Sequence, residues 1–183
     1  AMISRPVVIA PIVGLLLNNL YAGLIVGALI ELIWIDRLPI GTYIPPNDSV
    51  AAVVATAVAA IAGSRLGSVS PELIALSVLL AIPCGMLAKQ IDVMIVQSNN
   101  ILSDKALADA QKGDVRAIER KSYLGLIRVF LFYAVFLLAV QAALVPSVIW
   151  VFPRLKEILL RALSFTYYFL PLLGIAVAIN MLK

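Results

Sequence analysis

The sequence predicts an all-α integral membrane protein that combines transmembrane helices with short discontinuous or re-entrant helical segments in its first half. Of its 183 residues, 63% are hydrophobic and only 13% are charged, whereas soluble domains average about 45–50% and about 25%. The apolar residues also occur in runs. Residues 124–150 and 158–182 each exceed the roughly 18 residues that indicate a membrane span.

Composition excludes several classes of function. The longest polar stretch, residues 89–123, is too short for a typical soluble domain of about 100 residues. The single cysteine, Cys84, excludes an internal disulfide, and the absence of histidine excludes phosphohistidine and histidine-based proton transfer. The sequence also lacks a phosphate-binding glycine-rich motif and a metal-ligand pattern. Catalysis by this chain alone, or with a bound cofactor or metal, is therefore not expected.

The first apolar stretch, residues 6–35, is interrupted by Asn18 and Asn19 and then by Gly23 and Gly27. Each half has only about 12–15 residues, fewer than the roughly 20 that a helix needs to cross the hydrocarbon. The pattern predicts two short elements that reverse near Asn18, as in a re-entrant hairpin or a discontinuous helix. Two short tilted helices with an ordinary interfacial turn are the alternative.

A proline-rich loop at residues 36–49 separates this stretch from two further apolar segments, residues 50–63 and 73–88. The density of proline in the loop forbids a continuous helix. We interpret the two segments as a second short pair, because Pro83 and Gly85 weaken the latter internally. The alanine and valine of the former suit close helix packing in lipid.

The polar segment of residues 89–123 is expected to be cytoplasmic. Seven of the fourteen basic residues lie in it and at its edges: Lys89, Lys105, Lys112, Arg116, Arg120, Lys121 and Arg128. An excess of Lys and Arg in a connecting loop is typical of the cytoplasmic side. The net charge of +4 is thus an orientation signal rather than a sign of nucleic-acid binding. Within the segment, the spacing predicts a helix over residues 103–123 with an N-cap at Ser103 or Asp104.

Two long transmembrane helices are predicted in residues 124–183, joined by a tight connection at Pro153 and Arg154. The whole chain, residues 1–183, is therefore expected to form a single membrane domain. Its parts are the broken segments of residues 1–88, the polar segment and the two long helices.

Glu31 is the strongest candidate site residue, because it lies in the otherwise apolar run of residues 27–35. An ionisable group at a helix centre costs roughly 2.5–3.5 kcal/mol even on the lenient insertion scale, so it usually faces a cavity or a partner. Its two oxygens can accept hydrogen bonds from vicinal hydroxyls of a neutral sugar. A structural ion pair with Arg37 or with a partner subunit is the alternative.

Four further polar residues are candidates for substrate binding. Asn47 and Asp48 end the proline-stiffened loop, so their side chains are presented without the entropy loss of a mobile segment. The alternative is that Asp48 or Ser49 simply caps the following helix. Asn18 and Asn19 offer similar groups at the first break, where ordinary turn formation is the alternative.

In combination, these residues resemble the first part of IIC subunits of the mannose/fructose/sorbose family of bacterial phosphotransferase (PTS) permeases. The resemblance rests on Arg5, Pro6, Gly14, Asn18, Asn19, Leu20, Gly23, Gly27, Glu31, Ile40, Gly41, Pro45, Pro46, Asn47 and Asp48. A fainter likeness continues to residues 174–181. Members have a further helix before the Arg-Pro pair and further segments after residue 181, so we expect this chain to be truncated at both ends or reduced.

The resemblance implies a subunit that moves a hexose across the inner membrane while a cytoplasmic IIB subunit phosphorylates it. The other partners it implies are a IIA subunit, a IID membrane subunit, the lipid bilayer and further copies of the chain. Glu31 takes the family glutamate position near the sugar site, whereas Asn19 and Asn47 stand where many members have aspartate. A regulatory or scaffold role without transport is the alternative function.

Overall fold

The computed structural model describes residues 2–36 and 44–180, and within these ranges all regular structure is helical. The helices are α1 (Pro6–Leu16), α2 (Leu20–Ile33), α3 (Asp48–Leu66), α4 (Pro71–Gln111), α5 (Val115–Val151) and α6 (Glu157–Asn180), with 3-10 turns at Met2–Ser4 and Phe152–Arg154. In the described part of the chain, α3, α4, α5 and α6 are long and apolar enough to cross a membrane. The predicted all-α membrane fold is confirmed.

Helices α1 and α2 form the hairpin that the sequence predicts, with its reversal at Asn18 and Asn19. Asn18 has a φ of 55°, a left-handed conformation that asparagine tolerates better than most residues. The backbone N–H of Asn19 donates to the Gly14 carbonyl at 2.7 Å. Its side-chain oxygen accepts from the N–H of Ala22 at 3.0 Å, which caps α2. Both asparagines therefore serve the turn.

Glycine allows the two helices of this hairpin to touch along their backbones. A Cβ atom added to Gly23 would lie 2.5 Å from the carbonyl oxygen of Ala10, and one added to Gly27 would lie 2.7 Å from that of Pro6. Small residues are the usual means of close helix packing in lipid, where association depends on contact. The close approach brings the start of α1 beside the end of α2.

Helix α3 is the centre of the molecule. It packs against α1, α2, α4 and α5, and its side chains from Val50 to Gly63 are almost all buried. Because most of these side chains are alanine or valine, four helices can approach one axis closely. The α1–α2 hairpin and the α4–α5 pair are thereby held on a common support.

The second pair of apolar segments is longer than the sequence analysis predicts. Helix α3 has 19 residues, and α4 does not end near residue 88 but runs through Pro83 and Gly85 for 41 residues. Membrane helices tolerate an internal proline because neighbouring groups satisfy the freed carbonyl. Polarity alone does not end a helix, and the next glycine after Gly85 is Gly113.

The predicted single helix over residues 103–123 is wrong, because a turn divides it at residues 112–114. Gly113 adopts a φ of 74°, as is usual after a helix C-terminus. Asp114 then caps α5 by accepting from the N–H of Ala117 at 3.1 Å. The polar segment is thus the tip of a helical hairpin, with an ion pair between Asp109 and Lys121 joining its two sides.

The α4–α5 hairpin is too long to be contained in a bilayer. At 1.5 Å per residue, the 41 residues of α4 extend about 60 Å along the helix, about twice the 30 Å hydrocarbon thickness. We call residues 93–132, the part of this hairpin nearer its tip, the arm.

Large apolar side chains on α5 and α6 are exposed, among them Phe130, Leu138, Phe165 and Leu173, as expected of helices that face lipid or another membrane subunit.

Gly23→Ala is expected to destabilise the protein by about 1–2 kcal/mol, since overpacking costs about 1–3 kcal/mol and outweighs the gain in helix propensity of about 1 kcal/mol. The neighbouring atom is a backbone oxygen and cannot move aside. Gly125→Ala in α5 is the matched control. Its added Cβ would lie 3.6 Å from the Asn99 side chain, so that variant should be neutral or slightly stabilised. Thermal unfolding in detergent measures both, and equal melting temperatures for the two variants would contradict close packing at Gly23.

Candidate functional site

Polar side chains gather where the open end of the α1–α2 hairpin meets the start of α3. Their hydrogen bonds and ion pairs form three neighbouring sets: Arg5 with Glu31, Ser4 with Asp48 and Ser49, and Asn47 with Asp92 and Tyr133. We call this group the polar centre: Ser4, Arg5, Glu31, Asn47, Asp48, Ser49, Asp92 and Tyr133. Three of the five predicted site residues, Glu31, Asn47 and Asp48, belong to it.

Glu31 in the polar centre is held by the beginning of α1. Its Oε1 forms an ion pair with Arg5, and its Oε2 accepts from the backbone N–H of Val7 at 3.2 Å. The first N–H groups of a helix have no partner within the helix and carry its positive end, so they favour a carboxylate. The alternative pairing with Arg37 falls on a residue outside the described ranges. In the structure, Glu31 pairs with Arg5, and the side chain of Glu31 is only 17% exposed.

Asp48 and Ser49 join the first turn of α3 to the segment before α1. The backbone N–H of Ser49 donates to Asp48 Oδ1 at 2.6 Å, and the Ser49 hydroxyl donates to the Ser4 carbonyl. Neither residue is the N-cap, since Asn47 takes that position by accepting from the N–H of Val50 at 3.0 Å. The carboxylate of Asp48 lies close enough to the ion pair of Glu31 and Arg5 to interact electrostatically with both residues.

Asn47 is placed by a close contact with α4. Its backbone N–H donates to the Gly85 carbonyl at 3.0 Å, and a Cβ on Gly85 would lie 2.9 Å from the Asn47 carbonyl oxygen. The glycine thus permits the end of the proline loop to rest against α4. From there the Asn47 amide donates to Asp92 Oδ2 at 3.0 Å and to the Tyr133 hydroxyl at 2.9 Å.

Asp92 and Tyr133 complete the polar centre, and the sequence analysis did not identify them. The Tyr133 hydroxyl donates to Asp92 Oδ1, so α4 and α5 meet at this pair. Asp92 has the same signal as Glu31, a carboxylate between apolar residues at 91 and 93–96. It was passed over because it falls in the segment interpreted as a polar loop. Tyr133 has no comparable signal in the sequence.

A cavity of about 380 Å³ opens beside the polar centre. Its lining comprises Ser4, Ile9, Asn47, Ser49, Val50, Val53, Asp92, Tyr133 and Leu137. Small-molecule sites typically have volumes of about 300–1,000 Å³, with apolar walls and a few polar groups that fix the ligand. This cavity has both features. No group of residues in the described ranges is arranged to hold a metal ion.

Asn18 and Asn19 lie outside this centre, at the closed end of the α1–α2 hairpin. Helix α1 has 11 residues, which separates its two ends by about 16 Å. The Asn19 side-chain oxygen is engaged in capping α2. The two predicted pairs of polar residues thus occupy different ends of the hairpin.

Comparison with known proteins gives the fold a family. The mannose-specific EIIC component of the PTS from Escherichia coli (strain K12) is 26% identical over 187 residues, covering 98% of this chain and 65% of the relative. A putative N-acetylgalactosamine permease IIC component 2 of the same strain is 39% identical over 61 residues, covering 33% of this chain and 46% of the relative. The matches thus span less than two thirds of either relative.

A solved structure titled "Structure of membrane protein" has the same fold. It superposes with a TM-score of 0.76 and 19% identity, over 98% of this chain and 70% of that one. The family model for the PTS system sorbose-specific IIC component matches residues 1–183. The chain therefore belongs to the family of PTS sorbose-specific IIC components.

Proposed function

We propose that this chain is the sugar-translocating subunit of a PTS permease of the bacterial inner membrane, which binds a hexose and moves it for phosphorylation by a partner IIB subunit. The observation that carries the proposal is the polar centre. Asp92 and Asn47 line the cavity itself, and the charged groups of Arg5, Glu31 and Asp48 lie in the same polar centre, although each is costly to place in a membrane. Membership of a IIC family supports the same reading.

The chemistry of the polar centre suits a polyhydroxylated ligand. Glu31 and Asp48 are carboxylates, and each carboxylate offers about four lone-pair positions. The contacts of Glu31 with Arg5 and Val7 occupy only part of this capacity. We therefore assign Glu31, Asn47 and Asp48 to sugar binding. Asn18 and Asn19, about 16 Å away along the hairpin, would meet the sugar at another point of its path.

Phosphoryl transfer is assigned to partner subunits, because the sequence has no histidine to carry a phosphoryl group. The proposed partners are cytoplasmic IIA and IIB subunits, a IID membrane subunit and further copies of the chain. The exposed apolar faces of α5 and α6 support contact with lipid and with such membrane subunits.

We place residues 89–123, which include the tip of the arm, on the cytoplasmic side, following their basic residues. Asp92 lies about 30 Å along α4 from Pro71, a full hydrocarbon thickness, so the polar centre is near the side from which the arm projects. A sugar in the cavity would then be close to the compartment that contains IIB.

Lys112→Cys in a Cys84→Ser background tests this orientation. Lys112 begins the turn at the arm tip. A cysteine at this position should react with a membrane-impermeant maleimide in inside-out vesicles, which expose the cytoplasmic face, and not in right-side-out vesicles. Labelling in inside-out and right-side-out vesicles measures the difference. Reaction from the periplasmic side alone would reverse the assignment.

Glu31→Gln tests sugar binding. The amide is nearly isosteric, but an NH₂ group replaces one acceptor oxygen and the charge is lost. A charge-assisted hydrogen bond contributes roughly 1.5–3 kcal/mol, so we expect a ten- to hundredfold loss of affinity. The measurement is a titration with candidate hexoses on the protein purified with its membrane partner, alongside co-purification to follow assembly.

Glu157→Gln is the matched control for Glu31→Gln, because it removes the charge from an exposed ion pair with Arg161 on α6. That variant should bind sugar as the wild type does. Unchanged affinity with reduced assembly in Glu31→Gln would assign the Arg5–Glu31 pair to structure alone. It would then favour the regulatory or scaffold role.

A further inference from the structure

The hydrogen bonds of the cavity leave spare capacity mainly on acceptor atoms. Both amide hydrogens of Asn47 are used, one by Asp92 and one by Tyr133. The N–H of Val50 can only donate, so it fixes the side-chain oxygen of Asn47 on the opposite side. The single hydroxyl hydrogen of Tyr133 goes to Asp92. These side chains therefore have no N–H or O–H left for a ligand.

Asp92 holds most of the capacity that remains. Each of its oxygens accepts one hydrogen bond, Oδ1 from Tyr133 and Oδ2 from Asn47. A carboxylate can accept about four in all, so about two positions are open. The hydroxyl of Ser49, which also lines the cavity, is already engaged with the Ser4 carbonyl. A ligand that binds to Asp92 must therefore supply the hydrogen-bond donors itself.

We propose that Asp92 is a specificity-determining residue of the sugar site, which selects an unphosphorylated sugar with free hydroxyl or ammonium groups and rejects its phosphate ester. The inference rests on the proposed function. Hydroxyl and ammonium groups supply donors to Asp92. A phosphate group brings only acceptor atoms and a negative charge, which the carboxylate repels. Asn47 and Tyr133 cannot offset this repulsion, because their N–H and O–H groups are already engaged in hydrogen bonds.

The role of Asn47 changes with this assignment. Its amide is a positioning group that holds Asp92 and Tyr133 in place, while Asp92 makes the direct contact with the sugar. The negative charge that lines the cavity is then supplied by Asp92 on α4.

Asp92→Asn tests the proposal in lipid nanodiscs by titration with mannose, galactosamine and mannose 6-phosphate. For the wild type, we expect binding of at least one unphosphorylated sugar and at least tenfold weaker binding of the phosphate ester. The variant should bind the unphosphorylated sugar about tenfold or more weakly than the wild type. The ratio of its affinities for the unphosphorylated sugar and for the phosphate ester should also fall, because the new NH₂ group can donate to the phosphate. A purely structural role would weaken all three ligands by the same factor. Asp104→Asn, an exposed carboxylate on the same helix, should change neither quantity.

Val53→Cys in the Cys84→Ser background locates the ligand without altering Asp92, which keeps the test valid if Asp92→Asn does not fold. Val53 lines the cavity, so a bound sugar should slow its reaction with a maleimide at least tenfold. Leu138→Cys, 71% exposed on α5, should react at the same rate with and without sugar.

The outcomes separate the two proposals. If sugar binds and Glu31→Gln weakens it, but the ligand preference of Asp92→Asn is unchanged and Val53→Cys is unprotected, the assignment of Asp92 is overturned and the proposed function stands. If the wild type binds none of the panel and none protects Val53→Cys, both are overturned.

Discussion

The arrangement of α3, α4 and α5 depends on the hydrogen bonds of Asn47, which connect all three helices. One residue caps α3 through its oxygen, rests on α4 through its backbone, and reaches Asp92 and Tyr133 through its amide nitrogen. Asn47 is partly buried, and an amide away from water costs free energy if its groups are left unpaired. Satisfying Asn47 therefore requires α3, α4 and α5 to meet at one point. The cavity beside it follows from that meeting.

The membrane imposes a second condition on the same region. Lipid cannot hydrogen-bond to the backbone, so the unpaired N–H and C=O groups at the ends of the short helices α1 and α2 need partners within the protein. Close glycine contacts bring the start of α1 to the end of α2, and Glu31 then binds the free N–H of Val7. A carboxylate that is costly in lipid thereby completes a helix terminus that would otherwise be unsatisfied.

Much of this architecture follows from local signals in the sequence. The hairpin reversal at Asn18 was predictable because short apolar halves and an amide-rich break are local features. The extent of α4 was not, because Pro83 and the polarity after residue 88 look like helix breaks unless the surrounding helices are known. The turn at Gly113 and Asp114 has residues that commonly end and begin helices, but they lie among many charged residues, whose pattern indicates orientation and not helix boundaries.

For the site, the sequence identifies isolated carboxylates but not their partners. Glu31 stood out because of its apolar neighbours, and the same test applies to Asp92. Its link with Tyr133 spans 41 positions and depends on the turn that pairs α4 with α5. Arg5 likewise reaches Glu31 only because the hairpin closes. Contacts of this range are products of the fold.

The length of the arm has a mechanical consequence. From Asp92 and Tyr133 to the turn at Gly113, each helix continues for about 30 Å without a break, and the ion pair of Asp109 with Lys121 ties them together near the tip. Such a pair of helices is stiff and is held at its base by the hydrogen bonds among Asn47, Asp92 and Tyr133. A sideways force on the tip therefore produces a torque at these three residues, which form part of the cavity wall.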